Sequence, residues 1–234
     1  MVLILNMTET DSRWWKAECE IHTPVGNFYV HLLRDGDENL LLKFTDMIGS
    51  ESRVLFSPYH WGANSQVSEY RSAVAKTEKG EDASFVVLNS SNFPIAHLVL
   101  WGISRQYTYN NDILRIPTLG ICVADQYQNK GIGKICMEFL QDVAKDLLAD
   151  AIELTTVPQN ERAIKLYLSC GFQDIGTLRI PLGVDPSTTD ALALVRATWR
   201  EECHMVYVIN SNKEQHIKNY LLQKQILSDR TEKN

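Results

Sequence analysis

Residues 125–134 read DQYQNKGIGK and form the stretch of this 234-residue chain with the clearest chemical meaning. Gly131 and Gly133 follow a predicted strand and open a strongly helical segment. Glycine lets a ligand approach the backbone closely, and the free N–H groups at a helix start attract anions. Lys130 and Lys134 add positive charge. The stretch therefore predicts a phosphate or pyrophosphate site, or else a loop whose glycines only satisfy backbone geometry.

Two common nucleotide-binding motifs do not fit this loop. A P-loop needs Ser or Thr after its Gly-Lys pair, whereas Ile135 follows Lys134 here, and Gln128 stands where its first glycine belongs. The dinucleotide fingerprint G-x-G-x-x-G needs a third glycine, and Cys136 occupies that place. The loop is therefore of a different type.

Alternating strands and helices surround the loop. The strand TLGICV precedes it, and a helix over 131–149 follows, with apolar residues every three or four positions. The sequence then predicts the strand AIELTTV, a helix over 160–169 and the strand FQDIGTL. Further predictions are a half-buried strand over 14–22, a helix from about 184 to 202, a last strand HMVYVIN and a tail helix over 213–227. This order predicts a mixed α/β (α+β) domain.

Composition and charge exclude several classes of protein. The formal net charge of −6 argues against a general nucleic-acid binder, which would show a basic surplus. The five cysteines contain no CxxC pair, which favours reduced thiols in an intracellular protein. No run approaches the roughly 20 apolar residues of a membrane span. We expect a cytoplasmic protein without a metal site and without nucleic-acid or membrane partners.

Two segments resemble the signatures of the GNAT superfamily of N-acetyltransferases. Residues 128–133, QNKGIG, resemble its Q/R-x-x-G-x-G/A loop, which follows the fourth strand of the fold and opens a helix. About thirty residues on, Asn160, Ala163 and the Leu166-Tyr167 pair, followed by Gly171-Phe172, resemble its second signature. The resemblance is specific over about 119–172 and looser over about 28–118 and 173–209.

The resemblance implies a fold and a domain organisation. The fold is a central mixed sheet of about seven strands with flanking helices, and the fourth and fifth strands, here TLGICV and AIELTTV, splay apart as a cofactor cleft. We expect an N-terminal extension with an added strand at 1–26 and an acetyltransferase domain at 27–210. The domain carries a helical insertion at about 181–202, and a polar helical tail follows at 211–234.

The resemblance also implies acetyl-coenzyme A (acetyl-CoA) as the co-substrate. Strand residues Ile121, Cys122 and Val123 would meet the pantetheine arm. The pyrophosphate would be held by the loop residues Gln128, Asn129, Lys130, Gly131, Ile132, Gly133 and Lys134. Asn160 and Ala163 would also contact the coenzyme, although a helix N-cap alone would explain Asn160. Tyr167 would protonate the leaving sulfur, or it is a core aromatic of its helix.

The expected reaction is acyl transfer to an amine, which must be neutral to attack. Relatives carry an acid on the fourth strand, but Leu119 stands near that place here. Glu153, His204 and His97 are the candidate bases, and a water path to bulk is a further alternative. Tyr59 and Trp61, together with His97, are candidates for the acceptor pocket.

The predicted function is acetyl transfer to a primary amine of a small molecule, by direct attack in a ternary complex. An amino sugar, an amino acid or a polyamine would fit. Acetylation of a protein lysine or N-terminus is the nearest variant, and a non-catalytic acyl-CoA-binding sensor is an alternative of another class. A homodimer is an open alternative for assembly.

Overall fold

The computed structural model describes residues 2–6, 13–16, 18–23, 25–56, 63–182 and 198–230. Its strands are β1 (Val2–Asn6), β2 (Glu18–Thr23), β3 (Gly26–Leu32), β4 (Ala83–Asn89), β5 (Pro94–Trp101), β6 (Tyr107–Tyr109), β7 (Asp112–Leu114), β8 (Thr118–Val123), β9 (Ala151–Thr156), β10 (Gln173–Leu182) and β11 (Thr198–Val208). Within the described residues, nine strands form one sheet in the order β1-β2-β3-β4-β5-β8-β9-β11-β10, and β6 and β7 form a separate hairpin. All pairs of the large sheet are antiparallel except β8 with β9, which is parallel.

Six helices cover the two faces of the sheet in the described part of the chain. They are α1 (Glu38–Thr45), α2 (Ser50–Leu55), α3 (Ala63–Glu78), α4 (Ile132–Asp146), α5 (Glu161–Ser169) and α6 (Glu214–Arg230). The apolar stripe of α4 is buried in the main core with Ile152 of β9. Ala151 of the same strand packs with α6 instead, because neighbouring strand residues point to opposite faces. Val86 of β4 packs against α1 and α3.

The expected mixed fold is confirmed, and the large sheet has nine strands, compared with the seven or so expected in the domain and the one added strand expected in 1–26. Both additional strands, β1 and β2, precede residue 27. The single strand expected over 14–22 was wrong at its start, because Trp14–Lys16 form a short 3-10 helix. The half-buried character expected of this segment is observed, since the alternate residues Trp15, Cys19 and Ile21 are all buried.

The helix expected from about 184 to 202 is contradicted at its end. Thr198–Val208 form strand β11, and Trp199 pairs there with Pro181 of β10. Residues 181–182, the start of the expected insertion, also belong to a strand. The remainder of that prediction, 183–197, lies outside the described residues. Pairing with β10 and β9 on both sides outweighs the local helical spacing.

Among the described residues, no helix combines the length and the apolar character needed to cross a membrane.

Candidate active site

A wedge-shaped gap opens between the parallel strands β8 and β9. Their only registered pair in the described residues is Thr118 with Glu153, at the start of β8. The opposite edge of β8 is paired with β5 along its whole length, and the opposite edge of β9 is paired with β11. The two strands therefore meet at one end and separate toward Val123 and Thr156.

Asp150 joins the closed end of this gap. Its N–H donates to the Arg115 carbonyl at 2.8 Å, and its carboxylate accepts the Arg115 N–H at 2.9 Å. The same carboxylate accepts from Asn210 at 2.9 Å and forms an ion pair with Lys213 at 3.1 Å. Burial raises the Asp150 pKa, but these bonds outweigh it and hold the pKa below its usual value. Asp150 thus ties together the segments that enter β8 and β9 and the one that leaves β11.

The open part of β8 presents backbone N–H groups to the gap. The Ala124 N–H donates to Ile95 of β5 at 2.8 Å. Because successive N–H groups of a strand point to opposite edges, those of Val123 and Ile121 face β9 across the gap. Cys122, between them, is buried, and burial raises the pKa of its thiol, as does the charge of Asp125. Cys122 is therefore a protonated thiol and a poor nucleophile.

The Gln128 side chain connects the glycine loop to its surroundings. Its amide nitrogen donates to the Val123 carbonyl at 2.8 Å, to Asp125 at 3.2 Å and to Ser52 at 3.3 Å. Asp125 in turn accepts the Gly49 N–H at 2.9 Å. The Gln128 amide is thereby used inside the protein, so the loop offers its backbone to a ligand.

Gly131 and Gly133 are required for two different structural reasons. Gly131 has a φ of 80° and is the N-cap of α4. A residue in the left-handed conformation turns the chain into the helix here, and as a glycine it has no side chain to accept the first N–H groups of α4. A Cβ on Gly133 would instead lie 3.1 Å from Leu166 of α5, so this glycine permits close helix packing. Lys130 and Lys134 are exposed beside this helix start.

The second signature lies on α5, beside the open end of the gap. The Asn160 side-chain oxygen Oδ1 accepts the Ala163 N–H at 3.4 Å, and its side-chain Nδ2 donates to the Thr156 hydroxyl of β9 at 3.2 Å. Asn160 is therefore the N-cap of α5. Tyr167 is buried beside Phe172, with ring centres 6.1 Å apart. Burial, followed by the charges of nearby groups, raises the pKa of its phenol, and no described residue hydrogen-bonds to its hydroxyl.

Glu153 and His204, two of the candidate bases, are bonded to each other. The His204 Nε2–H donates to Glu153 at 3.0 Å, because Gln225 donates to the other ring nitrogen at 3.0 Å. Glu153 also accepts from Lys224 at 2.7 Å and from Thr118 at 3.2 Å. Burial alone would raise the Glu153 pKa, but the Lys224 charge and the His204 contacts outweigh it and lower the pKa to about 2.

These contacts argue against both residues as general bases. Glu153 binds a proton too weakly, and both ring nitrogens of the fully buried His204 are engaged. His97 lies on β5 opposite Cys122, and burial lowers its pKa to about 4. It is therefore a neutral imidazole at physiological pH. Tyr59 and Trp61, the acceptor-pocket candidates, lie outside the described residues.

Sequence reasoning missed Lys224, Gln225 and Thr118 as parts of this cluster. Lys224 lies 71 positions from Glu153 in the sequence, and Gln225 lies 21 positions from His204. The sequence holds one signal, because Ile217 and Leu221 are apolar and four positions apart, and the structure buries both against the sheet. Positions seven and eight residues after Ile217 share that helix face, which places Lys224 and Gln225 toward the sheet.

Comparison with known proteins defines the class. The family model of the acetyltransferase (GNAT) family matches residues 53–172, more than half of the chain. The chain belongs to this family and is an N-acetyltransferase. No curated protein sequence matches the chain.

Solved structures share the fold. The ribosomal-protein-S5-alanine acetyltransferase of Vibrio fischeri is 14% identical, with a TM-score of 0.59 over 82% of this chain and 97% of its own. The spermidine N-acetyltransferase of Vibrio cholerae, in complex with CoA and spermine, is 18% identical, with a TM-score of 0.55 over 77% and 95%. RimJ of Mycobacterium smegmatis, in complex with CoA-disulfide, is 16% identical, with a TM-score of 0.59 over 90% and 95%. At these identities the likeness establishes the fold alone.

Proposed function

We propose that this acetyltransferase transfers the acetyl group of acetyl-CoA to a primary amine of a small molecule, by direct attack within a ternary complex. One observation carries the proposal. The β8–β9 gap presents the N–H groups of Ile121 and Val123, and the start of α4, which no side chain caps, follows directly after β8. An extended pantetheine arm would pair with the N–H groups of β8, and the pyrophosphate at its end would then lie at the start of α4.

The cofactor would be held mainly by backbone groups. Its pantetheine amides would pair with the open edge of β8, as a further strand would. Its pyrophosphate would accept the N–H groups of the loop from Gln128 to Lys134, at the positive end of the α4 dipole. Lys130 and Lys134 supply exposed positive charge at the same place. Gly131 keeps this approach open, because among the described residues no atom beyond the adjoining backbone lies within 4 Å of the place where a Cβ would stand.

The chemistry requires three functions at the thioester. The neutral amine attacks the carbonyl carbon, and the C–S bond breaks as the sulfur takes its electron pair. The Val123 N–H would stabilise the charge on the carbonyl oxygen. Tyr167, whose phenol is protonated at physiological pH, would give its proton to the leaving sulfur and would regain a proton from solvent; its raised pKa makes it a weaker acid than an exposed tyrosine. We assign it this role because its hydroxyl has no hydrogen-bond partner among the described residues.

The proton of the amine would leave to solvent rather than to a side chain. Glu153, His204 and His97 are all unsuited, for the reasons of pKa and bonding given above. The rate would then follow the neutral fraction of the acceptor. We expect kcat/KM to rise with pH up to the pKa of the acceptor, and a plateau near pH 6.5, the ordinary histidine range, would instead reveal a histidine base.

Thermal unfolding with acetyl-CoA, coenzyme A, ATP and NAD tests the cofactor assignment. A ligand at about 100 times its dissociation constant should stabilise the fold by roughly 2.7 kcal/mol. Gly131→Glu should abolish the acetyl-CoA shift, since it places a bulky anion at the anion site. Gly80→Glu is the matched control, because Gly80 also has a positive φ of 69° and, in the described part of the chain, no atom beyond its neighbours within 4 Å of a Cβ placed on it. A shift that survives in Gly131→Glu would refute the assignment.

Turnover distinguishes the acceptors and the role of Tyr167. Release of coenzyme A is measured with a panel of small amines and with peptides that carry a free N-terminus or lysine. Tyr167→Phe should slow turnover while the acetyl-CoA shift persists. Unchanged turnover would make Tyr167 a core aromatic only, and activity confined to the peptides would replace the small-molecule acceptor by a protein.

A further inference from the structure

A row of side chains crosses the sheet at the closed end of the gap. Trp101 of β5 is registered with Thr118 of β8, which is registered with Glu153 of β9. Residues in register point to the same face of a sheet. A Cβ on Gly120 would lie 2.3 Å from the Trp101 ring, so the indole lies directly against β8 beside Thr118. An aromatic ring and a carboxylate thus share one face of the sheet, in adjacent strands on either side of β8.

This face is the one on which an acceptor would arrive. The main core with α4 occupies the other face, where Ile152 points. Glu153 is registered with Val206, which packs against α6. A cofactor bound at the α4 start and passed through the gap would therefore present its acetyl group toward the side of Glu153 and Trp101.

The partners of Glu153 differ in how easily they can leave. Thr118 and His204 belong to the sheet and are fixed by its ladders. Lys224 reaches in from α6 on a flexible four-carbon side chain, which is 41% exposed, whereas that of Glu153 is 4% exposed. A buried carboxylate requires such a cation or its equivalent. Only the ammonium of Lys224 can be exchanged for another cation without a change in the sheet.

We propose that the Glu153 carboxylate is a cation subsite for the acceptor, on the sheet face that Trp101 shares, and that the Lys224 ammonium fills this subsite until an acceptor with a second cationic group displaces it. The inference rests on the proposed function and names its substrate class: a linear amine with at least two amino groups. The reacting amine is neutral at attack, while the second remains protonated and binds the carboxylate. Lys224, on a helix beyond residues 53–172, is then a specificity-determining residue of this chain.

The spacing along β8 sets the length of the acceptor. Five residue steps separate Thr118 from Val123, which corresponds to about 16 Å of strand. The side chain of Glu153 shortens this separation from one end. A short diamine would not bridge it, so the second ammonium must stand many bonds from the reacting amine.

Binding of diaminooctane and octylamine tests the proposal without turnover. Each is titrated calorimetrically into the full chain at about pH 8, with and without coenzyme A. The diamine should bind wild type more tightly than the monoamine. Lys224→Met should tighten the diamine about tenfold, as expected when an internal competitor fills the site nine-tenths of the time. Lys218→Met is the matched control, because Lys218 lies on the same helix and pairs only with Glu214 in the described residues, at 2.6 Å.

Glu153→Gln should abolish the preference for the diamine, with thermal unfolding as the check of its fold. The proposal is overturned if the diamine binds wild type and Lys224→Met no better than octylamine, or if Lys224→Met weakens it. Should Glu153→Gln fail to fold, the Lys224→Met titration decides alone. Failure of the proposed function has a separate readout, which is the absence of coenzyme A binding. The diamine preference is measured without coenzyme A, so the two failures can be told apart.

Discussion

Glu153→Gln should remove a pH-dependent part of the stability of this protein. Glutamine has the shape of the protonated acid, so the variant reports what the buried charge contributes. The Glu153 pKa is lowered from 4.5 to about 2 in the folded state, because the Lys224 charge and the His204 bond outweigh the cost of burial. The difference between these two pKa values corresponds to roughly 3 kcal/mol of unfolding free energy, at about 1.4 kcal/mol per pKa unit.

The sign follows from which state binds the proton first. As the pH falls, the unfolded chain protonates Glu153 near 4.5, whereas the folded chain does so only near 2. The contribution is therefore fully present above pH 4.5 and is lost as the pH falls toward 2. Wild type should exceed Glu153→Gln in unfolding free energy by about 3 kcal/mol at neutral pH, and this difference should shrink toward zero in acid.

Urea unfolding at several pH values between neutral and about pH 3 measures this difference. Glu161→Gln is the matched control, since Glu161 meets Lys165 at 3.5 Å with its side chain 78% exposed. Such a surface pair contributes little, and its removal should give a small, nearly constant change. A wild-type advantage over Glu153→Gln that stays the same at all pH values would refute the electrostatic account and leave only packing.

Three further substitutions test other parts of the site. Gly120→Ala should destabilise the fold by about 1–3 kcal/mol through collision with the Trp101 ring, and Trp101→Leu should cancel part of that cost in a double-mutant cycle measured in urea. Gly131→Ala should cost about 1–2 kcal/mol from its positive φ alone, and an unchanged melting temperature would contradict this. Asp150→Ala should loosen the closed end of the gap, which faster hydrogen exchange at the Arg115 amide would report.

Local sequence patterns were sufficient to predict the glycine loop, the helix that follows it and the helix that carries the second signature. The helix predicted over 131–149 is α4, Ile132–Asp146, and the helix predicted over 160–169 is α5, Glu161–Ser169. These predictions succeeded because a helix is defined by residues three and four apart and by its capping residues. The loop glycines and the Asn160 cap were therefore readable without any long-range contact.

Strand pairing was less accessible to the sequence. The sequence predicts the end of a helix up to residue 202 and a strand over 204–210, whereas Thr198–Val208 form one continuous strand that pairs with β10 and β9. The roles of the charged residues depended on the same assembly. Glu153 seemed a candidate base from its place on β9, but Lys224, 71 positions away, and His204, 51 positions away, make it a fixed anion.

Local sequence patterns thus sufficed to predict the family, the glycine loop and the helices that carry both signatures, because these depend on contacts within one turn or one strand. The tertiary structure alone decided how β8 and β9 part and which partners surround Glu153. Both depend on segments far apart in the chain: Asp150 joins the strands to Arg115 and Asn210, and α6 places Lys224 on the sheet. A charge acquires its pKa, and so its chemistry, from neighbours that only folding brings within reach.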